Sequence, residues 1–313
     1  MIIKVPGLNR KESAGGGSTF IRNFEKAMMK FGHRLVSEDE QNFDFLLIPG
    51  ATLAERSVVE EARKRGKGIV LRVDNILEDS RNRSTGMSRL LDFVKLCDVV
   101  VYQSEWAKRI MKPYCGEGVV IHNGVDTDIF YPKQKEKTNE TRIFYGKYSR
   151  GDGKNFNVVQ YFCRELQIQR VDFTLVLAGK FADEYQKISH PFEFHNGENY
   201  EFHGVQSPEG IAEIMRGCDV ALLPYFADAC PNMVLEAQAC GLPVIFDPYG
   251  GTAEIVQFGY PLVWTERGAW DVVKNALSNN LENREMKSIL GLQEMGWNYN
   301  GIFQLLSQET HNI

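Results

Sequence analysis

Short apolar runs rich in β-branched residues recur at Ile2–Val5, Phe45–Ile48, Ile69–Val73, Val99–Tyr102 and Val119–Ile121, with helical patterns between them. Alternation of this kind predicts a parallel sheet covered by helices. After Pro132 the chain turns polar and charged in KQKEKTNET, which reads as a linker. The pattern then restarts at Ile143–Tyr145, Phe173–Leu177, Tyr200–Phe202, Val220–Leu223, Val244–Phe246 and Leu262–Trp264. The expectation is an α/β protein of two Rossmann-like domains, residues 1–133 and 134–313, facing across a cleft at the carboxyl ends of both sheets.

A length of 313 residues with 43% hydrophobic content is enough for two cores of ordinary size. No apolar run reaches the length of about 18 residues that a membrane span needs. The start MIIKV leads directly into a glycine-rich loop without a leader pattern, and the chain reads as cytoplasmic. The six cysteines show neither a C-x-x-C pair nor zinc-site spacing, so they read as reduced and mostly buried thiols. Within a formal net charge of −5, residues 1–133 carry a slight excess of base and residues 134–313 a clear excess of acid. That distribution argues against general nucleic-acid binding and leaves room for an anionic acceptor near the first half. The run Arg63-Lys64-Arg65-Gly66-Lys67 offers a peripheral contact with an acidic membrane surface. Its more ordinary reading is a solvated helix end.

The richest chemistry lies in residues 228–256, DACPNMVLEAQACGLPVIFDPYGGTAEIV. With Pro231 as first helical residue, Asp228 stays in the preceding loop while Glu236 sits about 7–8 Å further along the axis. The two acids would then hold different ends of one extended ligand. Between them, the free N–H groups of the helix start, at Asn232 and Met233, offer a seat for phosphate. A sugar joined to a nucleoside through a diphosphate fits that order.

Gly15-Gly16-Gly17-Ser18 follows the first strand and opens a helical stretch; it reads either as a phosphate-facing loop or as a tight turn. The segment from Gly146 and Lys147 through Arg150 to Lys154 and Asn155 occupies the equivalent place in the second half. Its three cations can surround a diphosphate and oppose the charge growing on a departing phosphate. Asp126-Thr127-Asp128 has the D-x-D spacing of some metal sites, yet stands where turn and capping residues are expected, so no metal is assigned. His33, His122 and His203 flank apolar segments without a nucleophile motif and read as structural.

Together, QSEWAKRIM at 103–111, VIHNGVDTDIFYP at 120–132, HGVQSPEGIAEIMRGCDVALLP at 203–224 and the 228–256 block resemble the retaining glycosyltransferases of family 4, also called group 1, with their two-Rossmann GT-B fold. By this resemblance Glu236 holds the donor ribose and Asp228 contacts the donor sugar. Lys154 matches the phosphate-binding lysine, and Lys147 stands where the family usually has Arg, with Arg150 nearby to compensate for the lost fork. Gly250, Gly251 and Glu254 match the GG-x-x-E loop, Gly16 and Gly17 the glycine pair facing donor and acceptor, and the base lies near Gly204 and Val205. The last helix, about 295–310, would cross back to the first domain. Asp228 is one methylene shorter than the family's Glu. Arg72-Val73-Asp74-Asn75 stands where many relatives place a His near the anomeric centre, which makes Asp74 the candidate for that position.

The resemblance implies a metal-independent, retaining hexosyltransferase. It would use a UDP- or GDP-sugar as co-substrate, need no cofactor, and act on an unidentified hydroxyl acceptor such as a glycan, lipid or small molecule. Two rivals remain. A glycosidase would also use paired carboxylates, but has no need of a lysine cluster facing a diphosphate. A non-catalytic nucleotide-sugar-binding or scaffold protein would explain departures that gather at the reaction centre.

Overall fold

The computed structural model of the chain describes residues 1–10, 15–74, 76, 84–135, 140–147, 154–180, 200–262, 268–282 and 290–310. The chain forms two compact units, one of Met1–Gly124 with Leu290–Ile313 and the other of Val125–Ile289.

The first unit is built on β1 (Ile2–Lys4), β2 (Arg34–Val36), β3 (Phe45–Ile48), β4 (Gly68–Arg72), β5 (Val99–Tyr102) and β6 (Val119–Val120). These strands are parallel and run in the order β2-β1-β3-β4-β5-β6. Helices α1 (Gly16–Met29), α2 (Arg56–Lys64), α3 (Ser84–Val94) and α4 (Glu105–Cys115) connect them. The start of α4 shows why QSEW breaks strand and begins helix: the Ser104 hydroxyl accepts from the Ala107 N–H at 3.1 Å, with Glu105 in the first turn. Strand β2 has no counterpart among the apolar runs, since three residues with only Leu35 and Val36 apolar leave no periodic signal. The last helix, Leu292–Thr310, packs in this unit's core. Tyr299 meets Phe24 edge-on at 5.1 Å between centroids, and Phe303 meets Phe45 at 5.3 Å.

The second unit carries β7 (Thr141–Lys147), β8 (Phe173–Gly179), β9 (Tyr200–Phe202), β10 (Val220–Leu223), β11 (Val244–Phe246) and β12 (Gly259–Pro261). They too are parallel, in the order β12-β11-β10-β7-β8-β9. The helices are α5 (Phe156–Ile168), α6 (Pro208–Arg216), α7 (Asn232–Ala239), α8 (Thr252–Ile255) and α9 (Ala269–Glu282). Pro208 opens α6 under a Ser207 cap, whose hydroxyl accepts from Gly210 N–H at 3.1 Å. Strand β12 precedes the expected Leu262–Trp264 run; Leu262 adds one rung by donating to the Phe246 carbonyl at 2.7 Å, and residues 263 and 264 lie outside the described residues.

The units divide after Gly124, ahead of the composition change near residue 133. Residues 125–133 belong with the second unit for a physical reason. Arg216, buried on α6, donates to the carbonyls of Ile129 at 3.0 Å and Tyr131 at 3.4 Å and lies 4.5 Å from the Tyr131 ring centroid. All six cysteines are free, and burial pushes Cys163, Cys218 and Cys240 up to about 12, so these three are protonated packing groups.

Candidate functional site

In the second sheet the strand order reverses between β7 and β10. Connections leaving a doubly wound sheet at such a switch point diverge and open a crevice at the carboxyl ends of the strands. The chain leaving β7 leads to Lys154 and the loop after β10 to Asp228, so the strand order brings the two together. The Lys154 ammonium lies 2.6 Å from Asp228 Oδ2, and the two side chains are 18% and 11% exposed.

Lys154 is held from several sides. The Tyr145 hydroxyl donates to its carbonyl at 3.0 Å, and its ammonium lies 3.7 Å from the Tyr225 ring centroid. The next residue, Asn155, has a left-handed backbone, φ 51°, and its side chain donates to the Pro224 carbonyl at 2.9 Å. Tyr225 itself is buried, with its hydroxyl 2.5 Å from the Gly146 carbonyl and 3.2 Å from Met233 Sδ. One side chain therefore ties the end of β7, the start of α7 and the lysine into one assembly. Tyr145 and Tyr225 were not singled out in the sequence, because their contribution is pairwise placement and carries no spacing signal.

Around Asp228 the main chain is equally constrained. Its Oδ1 accepts from Cys230 N–H at 3.3 Å, and its carbonyl accepts from Gly251 N–H at 2.8 Å. Gly250 has φ 137°, and a Cβ there would fall 2.9 Å from the Asp228 carbonyl oxygen, so the GG pair is needed for the loop to lie against the Asp228 backbone. Glu254 is exposed on α8. Helix α7 begins at Asn232, one residue later than expected; Pro231 caps it from extended backbone, φ −71° and ψ 117°. Asn232 and Met233 are part-buried at its first turn, and Glu236, buried, lies three and four residues on, over the same face. Gly146 shows how close helix and strand approach, since a Cβ there would collide with Met233 Sδ. Lys147, buried at the end of β7, accepts through its carbonyl from Lys180 N–H at 2.6 Å. Beyond the next strand, Gly204, φ 63°, accepts from Gly179 N–H at 2.7 Å, and Val205 is exposed beside it. Arg150 lies outside the described residues.

The first unit holds the remaining candidates. Gly16 and Gly17 form the first turn of α1, with Thr19 N–H donating to the Gly15 carbonyl at 3.0 Å. Asp74 stands just past β4 and accepts at 3.1 Å from the N–H of Ala51, which follows the neighbouring strand β3. Beside it runs a buried network that the sequence did not reveal. Arg72 donates to the Pro49 carbonyl at 2.8 Å, to Gln103 at 2.5 Å and to Asn123 at 3.0 Å, and stacks 4.0 Å from the Phe20 ring centroid. Gln103 and Asn123 belong to the QSEW and HNG segments, so part of what makes those segments recognisable is this arginine's coordination.

Other readings find their places. Asp126 Oδ1 accepts from Asp128 N–H at 3.2 Å in a local turn, and among the described residues no group of three His, Cys, Asp or Glu could hold a metal ion. His33 bonds Asn300 at 2.7 Å, inside the first unit. In the basic run, Arg63 pairs with Asp98 at 2.7 Å, and Arg65 and Lys67 lie 5.2 Å and 5.6 Å from the Phe43 ring centroid. No helix among the described residues is long and apolar enough to cross a membrane.

With this geometry in hand, comparison with known proteins identifies the class. The profile of the family described as glycosyl transferases group 1 matches residues 127–293, more than half of the chain, and the chain belongs to that family. An uncharacterized glycosyltransferase of Methanocaldococcus jannaschii is 27% identical over 173 residues, 55% of this chain and 46% of that protein, so the match spans less than half of the relative's length. Among solved structures, sucrose-phosphate synthase from Thermosynechococcus elongatus superposes with a TM-score of 0.78 at 13% identity, covering 98% of this chain and 99% of that one. Anabaena HepE in complex with UDP gives 0.69 at 12% identity, covering 97% and 99%. The fold is that of the GT-B glycosyltransferases.

Proposed function

We propose that this chain is a metal-independent, retaining glycosyltransferase that moves a hexose from a UDP- or GDP-sugar to a hydroxyl acceptor. The observation that carries the reading is the meeting of Lys154 and Asp228 at the β7/β10 switch point, with Glu236 further along α7. Family membership supports it, as does a structural relative that was solved with UDP. Glu236 takes the ribose hydroxyls, and the first turn of α7 with Lys154 and Lys147 takes the diphosphate. Asp228 orients the sugar. The bond between the anomeric carbon and the diphosphate oxygen breaks, and its electron pair leaves with the phosphate. The acceptor oxygen bonds the anomeric carbon from the same face and its proton passes to the departing oxygen. Cations fixed before reaction stabilise the charge on that oxygen without reorganising. Gly16, Gly17 and Asp74 are the proposed groups of the first unit, with Asp74 serving the acceptor.

A thermal-shift panel tests the reading. UDP or GDP at 100 times its Kd should stabilise the protein by about 2.7 kcal/mol, with or without EDTA. Loss of donor turnover in EDTA, restored by Mg²⁺ or Mn²⁺, would overturn metal independence. Nucleotide binding without hydrolysis or transfer of any donor would favour a non-catalytic binding protein.

A further inference from the structure

We propose that Asp228 does more than orient the sugar: it makes the site prefer a diphosphate that carries a sugar over one that does not, by competing for Lys154. This rests on the donor-site reading above. The same ammonium that would hold the leaving phosphate lies 2.6 Å from Asp228 Oδ2, in a setting where both side chains are largely withdrawn from water. Both partners are held close to one another. Lys154 is anchored through its carbonyl by Tyr145 and through its ammonium by the Tyr225 ring, and the neighbouring Asn155 is tied to Pro224. Asp228 is anchored through its carbonyl by Gly251 and through Oδ1 by Cys230.

A phosphate entering beside Lys154 therefore has to share the ammonium with a fixed carboxylate, and it brings like charge close to that carboxylate. A sugar changes this balance in two ways. Esterified to hexose, the terminal phosphate carries one acidic oxygen fewer than in a free nucleoside diphosphate, so repulsion falls. The hexose hydroxyls also donate to Asp228, replacing what the carboxylate gives up when Lys154 turns toward phosphate. After transfer, the product diphosphate meets Asp228 with neither compensation, and its release is favoured.

The test is calorimetric binding of UDP and of GDP to the full chain in four forms: unaltered, Asp228→Asn, Lys154→Ala, and the double variant. Asn keeps an acceptor for Cys230 N–H while removing the charge; Asp228→Ser is a second neutral variant should Asn fold poorly, and melting curves establish folding for each. Asp228→Asn should bind the preferred nucleoside diphosphate about tenfold more tightly than the unaltered chain. In the Lys154→Ala background the same substitution should give a clearly smaller gain, because there is no ammonium to release and only the relief of like-charge repulsion remains. Equal or weaker binding by both neutral variants, while the unaltered chain binds nucleotide, overturns the competition and leaves the donor site standing. No binding of either nucleotide by any folded form overturns the donor-site reading itself.

Discussion

At the scale of single residues, the site depends on groups that differ in how much of the fold they support. The Lys154 side chain lies outside the apolar core and is held by its ion pair with Asp228 and by the Tyr225 ring, while its main chain is fixed by Tyr145 whatever the side chain is. On the proposed reading Lys154→Ala should lower turnover by about 10²–10³, because it removes charge stabilisation of the departing phosphate. It should also lower the melting temperature by leaving the Asp228 carboxylate without its ion pair, so turnover is compared well below the unfolding transition. Unchanged turnover at saturating donor would remove Lys154 from the chemistry. Tyr225 differs, being buried and serving the lysine through its ring and Gly146 through its hydroxyl. Tyr225→Phe keeps the face over which the ammonium lies, whereas Tyr225→Leu loses it. The expected order of turnover is unaltered, then Phe, then Leu, with the gap between Phe and Leu closing in a Lys154→Ala background. An undiminished gap there would mean that the ring acts through packing alone. Glu236→Gln belongs to a third kind, since on the proposed reading the acid holds the ribose, remote from the bond being broken. It should weaken binding of free UDP or GDP and change turnover at saturating donor far less. A fall in turnover with nucleotide affinity intact would contradict its assignment to the ribose.

At the scale of elements, the loop after β11 and the loop after β10 are coupled through backbone rather than side chains. Gly250→Ala forces a Cβ onto a residue at φ 137° and within 2.9 Å of the Asp228 carbonyl oxygen. Neither strain can be relieved by rotating a side chain, so the substitution should cost roughly 1–3 kcal/mol and disturb Asp228 with it. Gly301→Ala, in the last helix with nothing within 4 Å of the added Cβ, is the matched control and should stabilise by roughly 0.4–1 kcal/mol. Parallel melting curves would show the two substitutions moving in opposite directions; a neutral Gly250→Ala would mean that the loop is not set by this contact. The same distinction explains what the sequence disclosed. The apolar runs located nearly every strand, and Pro, Gly and acid spacing located the 228–256 block, because those signals are local. Arg72 with Gln103 and Asn123, or Tyr225 with Gly146, are pairings set by the strand order β2-β1-β3-β4-β5-β6 and by the β7/β10 reversal. No window of sequence contains both partners. The one-residue delay of α7 has a local cause that spacing could not rank: Pro231 suits either the cap or the first turn, and its ψ of 117° places it in the cap.

At the scale of the whole molecule, the first unit is discontinuous in sequence: its core is completed by a helix that follows the entire second unit. Leu292, Met295, Tyr299, Ile302, Phe303 and Leu306 all enter the cluster formed by Ile3, Phe20, Phe24 and Phe45. Tyr299 and Phe303 are almost fully buried there, and Gly124 N–H donates to Met295 Sδ at 3.2 Å. Removing residues 290–313 would expose that apolar face without touching any contact inside Val125–Ile289. Hydrogen exchange should then rise throughout residues 1–124, most clearly in β1, β3 and α1, while β7, β8 and β10 keep their protection. Phe303→Ala is the milder form of the same experiment. It should cost about 3–5 kcal/mol, the price of emptying an aromatic site in a packed core, and that loss should appear in the first unit's exchange alone. Equal loss of protection in both units would mean that they unfold as one cooperative body. Unaltered exchange in residues 1–124 after the deletion would mean that the first unit closes its core without the last helix, against the packing of Tyr299 and Phe303 seen here.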